Sequence, residues 1–164
     1  MRPEILEQVR KMAEARRRGR RVEPGPWSCD ETPPDLFYVG LEQFNRGEYF
    51  EQHESLEEIW LLEPRDIRYL YQGILKVGVG FYKLRLGNYR GTVNHLNGGM
   101  DYLRPFGEVC LGVEVGRLVR EAEAVRDRVI ELGPDGLARF DMSYPKVHYR
   151  RMGGDQESGE AVQE

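Results

Sequence analysis

Between Leu111 and Leu132 seven apolar residues, Leu111, Val115, Leu118, Ala122, Val125, Val129 and Leu132, recur at alternating intervals of four and three. That spacing is the seam of a packed helix, and a seam needs partners. The chain supplies them upstream. Thr32-Pro-Pro-Asp35 is a helix start with proline tolerated in the first turn, and Phe37, Gly40, Leu41 and Phe44 then share one side. Asn45-Arg46-Gly47 stops this helix. Glu48 to Leu62, Arg65 to Leu86 and Tyr89 to Leu103 form three more, divided by Glu63-Pro64 and Gly87 and closed by Pro105 and Gly107. The last helix ends before Gly133-Pro134.

The expected fold is therefore all-α: an up-and-down bundle of four core helices with an added C-terminal helix, over residues 35–132. Residues 1–34 form a basic amphipathic helix, with Ile5, Leu6, Val9, Met12 and Ala13 at helical spacing, and a Pro-rich arm. Residues 133–164 form an extended strap, DMSYPKVHYR, and an acidic tail expected to be disordered beyond Met152. Gly47-Glu-Tyr49 and Gly87-Asn-Tyr89 lie 40 residues apart, each between two helices, which reads as two packed hairpins.

At 164 residues the chain is one domain by length and buries roughly 70% of its unfolded surface without needing a staple. The longest apolar stretch, around Ile74 to Phe81, is interrupted by Lys76 and by glycines, so no membrane span is expected. Cys29 and Cys110 lie far apart outside any C-x-x-C spacing. They read as free thiols in a reducing compartment, and the protein as cytoplasmic. Residues 1–21 hold eight Lys/Arg against three Glu, within a net charge of −4 for the chain. The Arg16–Arg21 cluster could meet nucleic-acid phosphates, but no RNA-binding signature accompanies it and nucleic acid is not the expected partner.

Charged residues sit where the third helix should be apolar. With 100° per residue, Leu56, Trp60, His53, Glu57, Phe50 and Leu61 fall within an arc of about 140°, with Glu54 just past its edge. This predicts a polar centre set into a packing face. His53, Glu54 and Glu57 are the candidate catalytic residues, by acid/base work of a carboxylate desolvated beside Trp60. His53 and Glu57, four apart, are the candidate pair for a divalent metal, although HESLE lacks the second histidine of a zincin motif. A di-iron centre is excluded because Phe50, Thr92 and Pro145 precede the three histidines by three residues. Ser55 lies across the helix from His53, and Gly98-Gly99 lacks the context of a phosphate loop. His95 and His148 read as incidental.

The bland reading is a structural network in which His53, Glu54 and Glu57 are satisfied by Arg65, Arg68, Gln72 or the lysines Lys76 and Lys83, because buried carboxylates need a cation. Glu51 and Trp60 complete the candidate ligand or network set. Gly73, Gly78 and Gly80 in one helix cost about 1 kcal/mol each against alanine, which points to close approach by another helix or a ligand.

Phe44-Asn45-x-Gly47-x-Tyr49-Phe50-Glu51-x-His53-Glu54-x-Leu56-Glu57-x-x-Trp60, followed by Gln72-Gly73-Ile74-Leu75 and by Gly87-Asn88 with Gly91, resembles the prokaryotic domain-of-unknown-function family 309. The likeness covers about residues 36–104 and implies a compact all-helical fold with no established activity. Glu51, His53, Glu54, Glu57, Trp60 and Gln72 recur in that family. Lys76 and Lys83 depart from it, standing where glutamine and histidine are expected, and a protonated lysine replaces a metal's charge while being a poor ligand. The leading expectation is a binding or scaffold module, a homo-oligomer or protein-binding unit that could also take a small ligand, whose buried His/Glu centre fixes the packing, with no cofactor expected unless a divalent metal binds. The runner-up is a metal-assisted or acid/base hydrolase-like enzyme using His53, Glu54 and Glu57.

Overall fold

A computed structural model describes residues 2–17 and 25–153. The side chains of the Arg16–Arg21 cluster and the tail beyond Gly153 lie outside the described residues, as do the expectations placed on them. Among the described residues six α-helices follow one another: α1 (Pro3–Arg17), α2 (Asp35–Asn45), α3 (Tyr49–Leu62), α4 (Arg68–Arg85), α5 (Tyr89–Leu103) and α6 (Val115–Gly136). Helix α4 is central, packed on α3 at one flank and on α5 at the other, while α2 covers α3 and α6 covers α5. Phe37, Leu41, Leu56, Leu70, Ile74, Val77, Phe81, Leu96, Met100, Leu118, Ala122 and Val129 form one continuous core. Helix α1 docks on α3 through Ile5, with Arg2 reaching Glu58 at 2.8 Å.

The two hairpin turns share one geometry. Gly47 and Gly87 both take φ of 77°, and in each turn the next residue donates back, Glu48 N–H to the Gln43 carbonyl and Asn88 N–H to the Lys83 carbonyl. This is the helix stop that a left-handed residue permits. The Asn88 side chain then caps α5 by accepting from Gly91 N–H at 2.8 Å.

The glycines of α4 answer to neighbouring helices. Gly73 faces Gly99 of α5 and Leu103, and the Gly78 face is filled by the side chain of Gln52 from α3. A tight helix crossing, not a ligand, accounts for them.

Two expectations need correction at the C-terminal helix and the thiols. Helix α6 starts at Val115, because Leu111 (φ 51°) and Gly112 (φ 77°) turn the chain between strands β1 (Val109–Cys110) and β2 (Val113–Glu114). The apolar spacing ran on through Leu111 because the hairpin buries that residue as a helix would. At its other end α6 breaks at Gly133 (φ 70°, ψ 173°). Cys29 and Cys110 are not free thiols: they form a disulfide across 81 residues of sequence. The hairpin brings Cys110 to the arm, where Leu111 N–H also donates to the Cys29 carbonyl at 2.7 Å. Nothing local to either cysteine announces this pairing. The thiol argument for a reducing compartment falls with it, since disulfides persist mainly in oxidising ones. No helix among the described residues is long and apolar enough to cross a membrane.

Residues 141–150 carry no helix and run against the bundle. Asn45 clamps Val147 with two hydrogen bonds of 2.9 and 2.7 Å, Tyr149 pairs with Val113 and donates to Glu42 at 2.9 Å, and Val147 and Tyr149 are buried. The arm is held by Arg65, whose guanidinium meets Glu31 and Glu63, both at 2.7 Å, and the Pro26 carbonyl at 2.9 Å. The Arg65 hydrogen bond holds the Glu63 carboxyl below the usual carboxylate range.

Candidate functional site

The polar residues of α3 do not form a buried centre. The His53 and Glu57 side chains are 39% and 43% exposed, and their closest approach, Nε2 to Oε1, is 3.5 Å. The residues that α3 buries are Tyr49, Gln52, Leu56 and Ile59. On the helical wheel that face is turned roughly a quarter turn from the expected arc. The expectation took Phe50 and Trp60 as core, whereas Phe50 is 53% exposed and Trp60 only half-buried. The polar group that α3 does bury is Gln52, whose amide donates to the Leu75 carbonyl at 3.1 Å in the space that Gly78 leaves open. A glutamine beside an interior glycine on the facing helix was the only sequence signal for it.

Helix α3 separates two clefts. One, about 360 Å³, is acidic and polar, lined by Gln43, Glu51, Glu54, Ser55, Glu57 and Glu58. The other, about 370 Å³, runs between α3, α4 and α5, and is lined by Tyr49, Phe50, His53, Gln72, Leu75, Lys76, Val79, Tyr82, Lys83 and His95. Of the candidate catalytic residues, Glu54 and Glu57 therefore line the first cleft and His53 the second, with Glu57 one turn along the same face from His53. Glu51 joins the acidic side. Gln72, Lys76 and Lys83 line the second cleft together with His53. Trp60 and Arg68 form a separate pair, the guanidinium 4.3 Å above the indole ring and donating to the Trp60 carbonyl at 3.3 Å. Arg65 belongs to the arm. Among the described residues no group of three or more His, Cys, Asp and Glu converges as a metal site would require.

The lysine-lined groove is electropositive. Lys76 and Lys83 make no ion pair or hydrogen bond among the described residues. The alkyl stem of Lys76 passes over α5, close enough that a Cβ at Gly98 would meet its Cδ at 3.5 Å. Arg85 lies outside the groove, in the cavity beside Gly47 and Tyr144, its guanidinium 5.7 Å from the Tyr82 ring and 5.0 Å from that of Tyr49 and donating to the Gly47 carbonyl at 2.8 Å. Burial pushes the Tyr49 phenol up to about 12, so it stays neutral. His148 lies in the strap, but His95, which also read as incidental, points into this groove. Its Nδ1 lies 2.9 Å from the Gly91 carbonyl. A carbonyl only accepts, so Nδ1 carries the proton and Nε2 is the nitrogen left for a ligand.

No curated protein and no solved structure matches the chain. A family described as "Domain of unknown function (DUF309)" matches residues 37–95, the stretch from α2 to His95 that contains both walls of α3 and the lysines of α4. The chain carries a DUF309 domain over residues 37–95.

Proposed function

We propose that this protein is a binding module whose groove between α3, α4 and α5 takes an anionic ligand. The observation that carries the reading is the convergence of Lys76, Lys83, His53 and His95 with no carboxylate paired to either lysine among the described residues. Cations left unneutralised beside one another repel, and a bound anion relieves that repulsion. Gln72 adds an amide that can donate, and His53 and His95 donate in their charged forms. The exposed Phe50 ring, with Tyr82 at 6.5 Å, gives the groove an apolar wall. The ligand class that fits is an anionic head, phosphate or carboxylate, on a planar or apolar body. Glu57 serves to orient His53 rather than to bind.

Isothermal titration with phenyl phosphate, inorganic phosphate and benzyl alcohol tests this. Phenyl phosphate is expected to bind, more tightly than either part alone. Lys76→Met/Lys83→Met should weaken it by roughly 10- to 100-fold, as loss of charge-assisted contacts implies. Both lysines are half-buried at the groove and outside the core, so the variant keeps its fold. Equal binding by wild type and variant would sink the reading.

A further inference from the structure

A second concave site lies at the end of α4 and α5, apart from the groove. Trp27, Tyr69, Tyr102, Pro105 and Phe106 line it, with Asp66 and Asp101, around about 340 Å³. Its assembly uses three distant pieces of chain. Tyr69 opens α4 and Tyr102 closes α5, and their rings stack at 5.6 Å with planes 3° apart. Trp27 comes from the arm, meets Phe106 at 5.8 Å, and is held there two residues before the Cys29–Cys110 disulfide. Trp27, Tyr69 and Tyr102 are respectively 38%, 37% and 36% exposed, so each keeps ring surface open to a ligand.

Charge narrows what that ligand can be. Asp101 is engaged by Arg104 at 2.8 Å, whereas Asp66 has no ion-pair partner among the described residues. The other cation nearby, Arg68, lies 5.9 Å from Tyr69 but closer to Trp60, on which it is stacked. An unpaired carboxylate beside open aromatic faces favours a cation over a neutral apolar molecule. Strongly hydrated cations, such as a primary ammonium or a metal ion, lose too much by leaving water for ring faces. A quaternary ammonium is weakly hydrated and spreads its charge over methyl groups that pack on rings. We propose that this pocket binds a small quaternary ammonium cation, held against Trp27, Tyr69 and Tyr102 and attracted by Asp66.

The test is a titration of the full, disulfide-intact chain with choline chloride, followed by the Trp27 indole N–H resonance, which is assigned by its loss in Trp27→Phe. The neutral carbon isostere 3,3-dimethylbutan-1-ol is titrated in parallel. The expected result is a saturable shift with choline, at least about tenfold tighter than with the isostere. Asp66→Asn, an exposed position, should weaken choline several-fold and leave the isostere unchanged. Trp27→Ala, on the arm and outside the core, should remove most of the binding. Equal affinity for choline and the isostere, or no saturable shift with choline, would overturn the proposal.

Discussion

The Cys29→Ser/Cys110→Ser double variant is expected to melt about 10 °C below the wild type. The disulfide closes a loop of 81 residues that contains α2 to α5. By the chain-entropy relation such a loop costs the unfolded state about 4.5 kcal/mol, and for a chain of this size each kcal/mol moves the melting point by roughly 2–4 °C. When the bond is lost the arm keeps the Arg65 contacts with Glu31 and Pro26, the Leu111 N–H bond to the Cys29 carbonyl and the packing of Trp27 on Phe106. Adding Arg65→Ala to the double variant should loosen Trp27 further, read as a red shift of its fluorescence. Calorimetry under oxidising and reducing conditions checks the first effect. A wild type whose melting point ignores reductant would contradict it.

Two adjacent glycines should behave oppositely. A Cβ at Gly99 would stand 2.7 Å from Val77 Cγ2 and 2.9 Å from both the Gly73 carbonyl oxygen and the Val77 nitrogen. Two of those three atoms are backbone, so relief requires α4 and α5 to move apart, and Gly99→Ala should cost about 2–3 kcal/mol. A Cβ at Gly98 meets nothing nearer than the flexible Lys76 Cδ, at 3.5 Å. Gly98→Ala should stabilise by about 0.5–1 kcal/mol, the helix-propensity gain. Denaturant melts of the two variants measure the difference directly, and similar stabilities would mean that α4 and α5 do not cross at Gly73 and Gly99.

Periodicity and breakers made the helices legible. Gly47, Gly87 and Gly133 mark ends that the backbone then shows with positive φ, and the spacing of Leu118, Ala122, Val125 and Val129 marks the buried face of α6. The site was legible only in part. Lys76, Lys83, Gln72 and His53 could be named because they recur on facing helices. Whether His53 was buried could not be read, since Phe50 and Trp60 are apolar residues that the bundle leaves at its edge. Wheel arithmetic assigns every large ring to the core, and so rotated the face by a residue. His95 and the disulfide escaped for another reason. Each depends on which segments meet after folding, and no local pattern encodes that.

The three histidines allow the groove to be tested as an anion site in one experiment. His53 and His95 line the groove, whereas His148 sits in the strap and serves as an internal control. Imidazole nitrogen shifts are followed by NMR as phenyl phosphate is added. His53 and His95 are expected to move together and saturate at one concentration, with His95 Nε2 responding more than Nδ1, while His148 stays still. Movement of all three in parallel, or of none, would contradict an anion site between α3, α4 and α5.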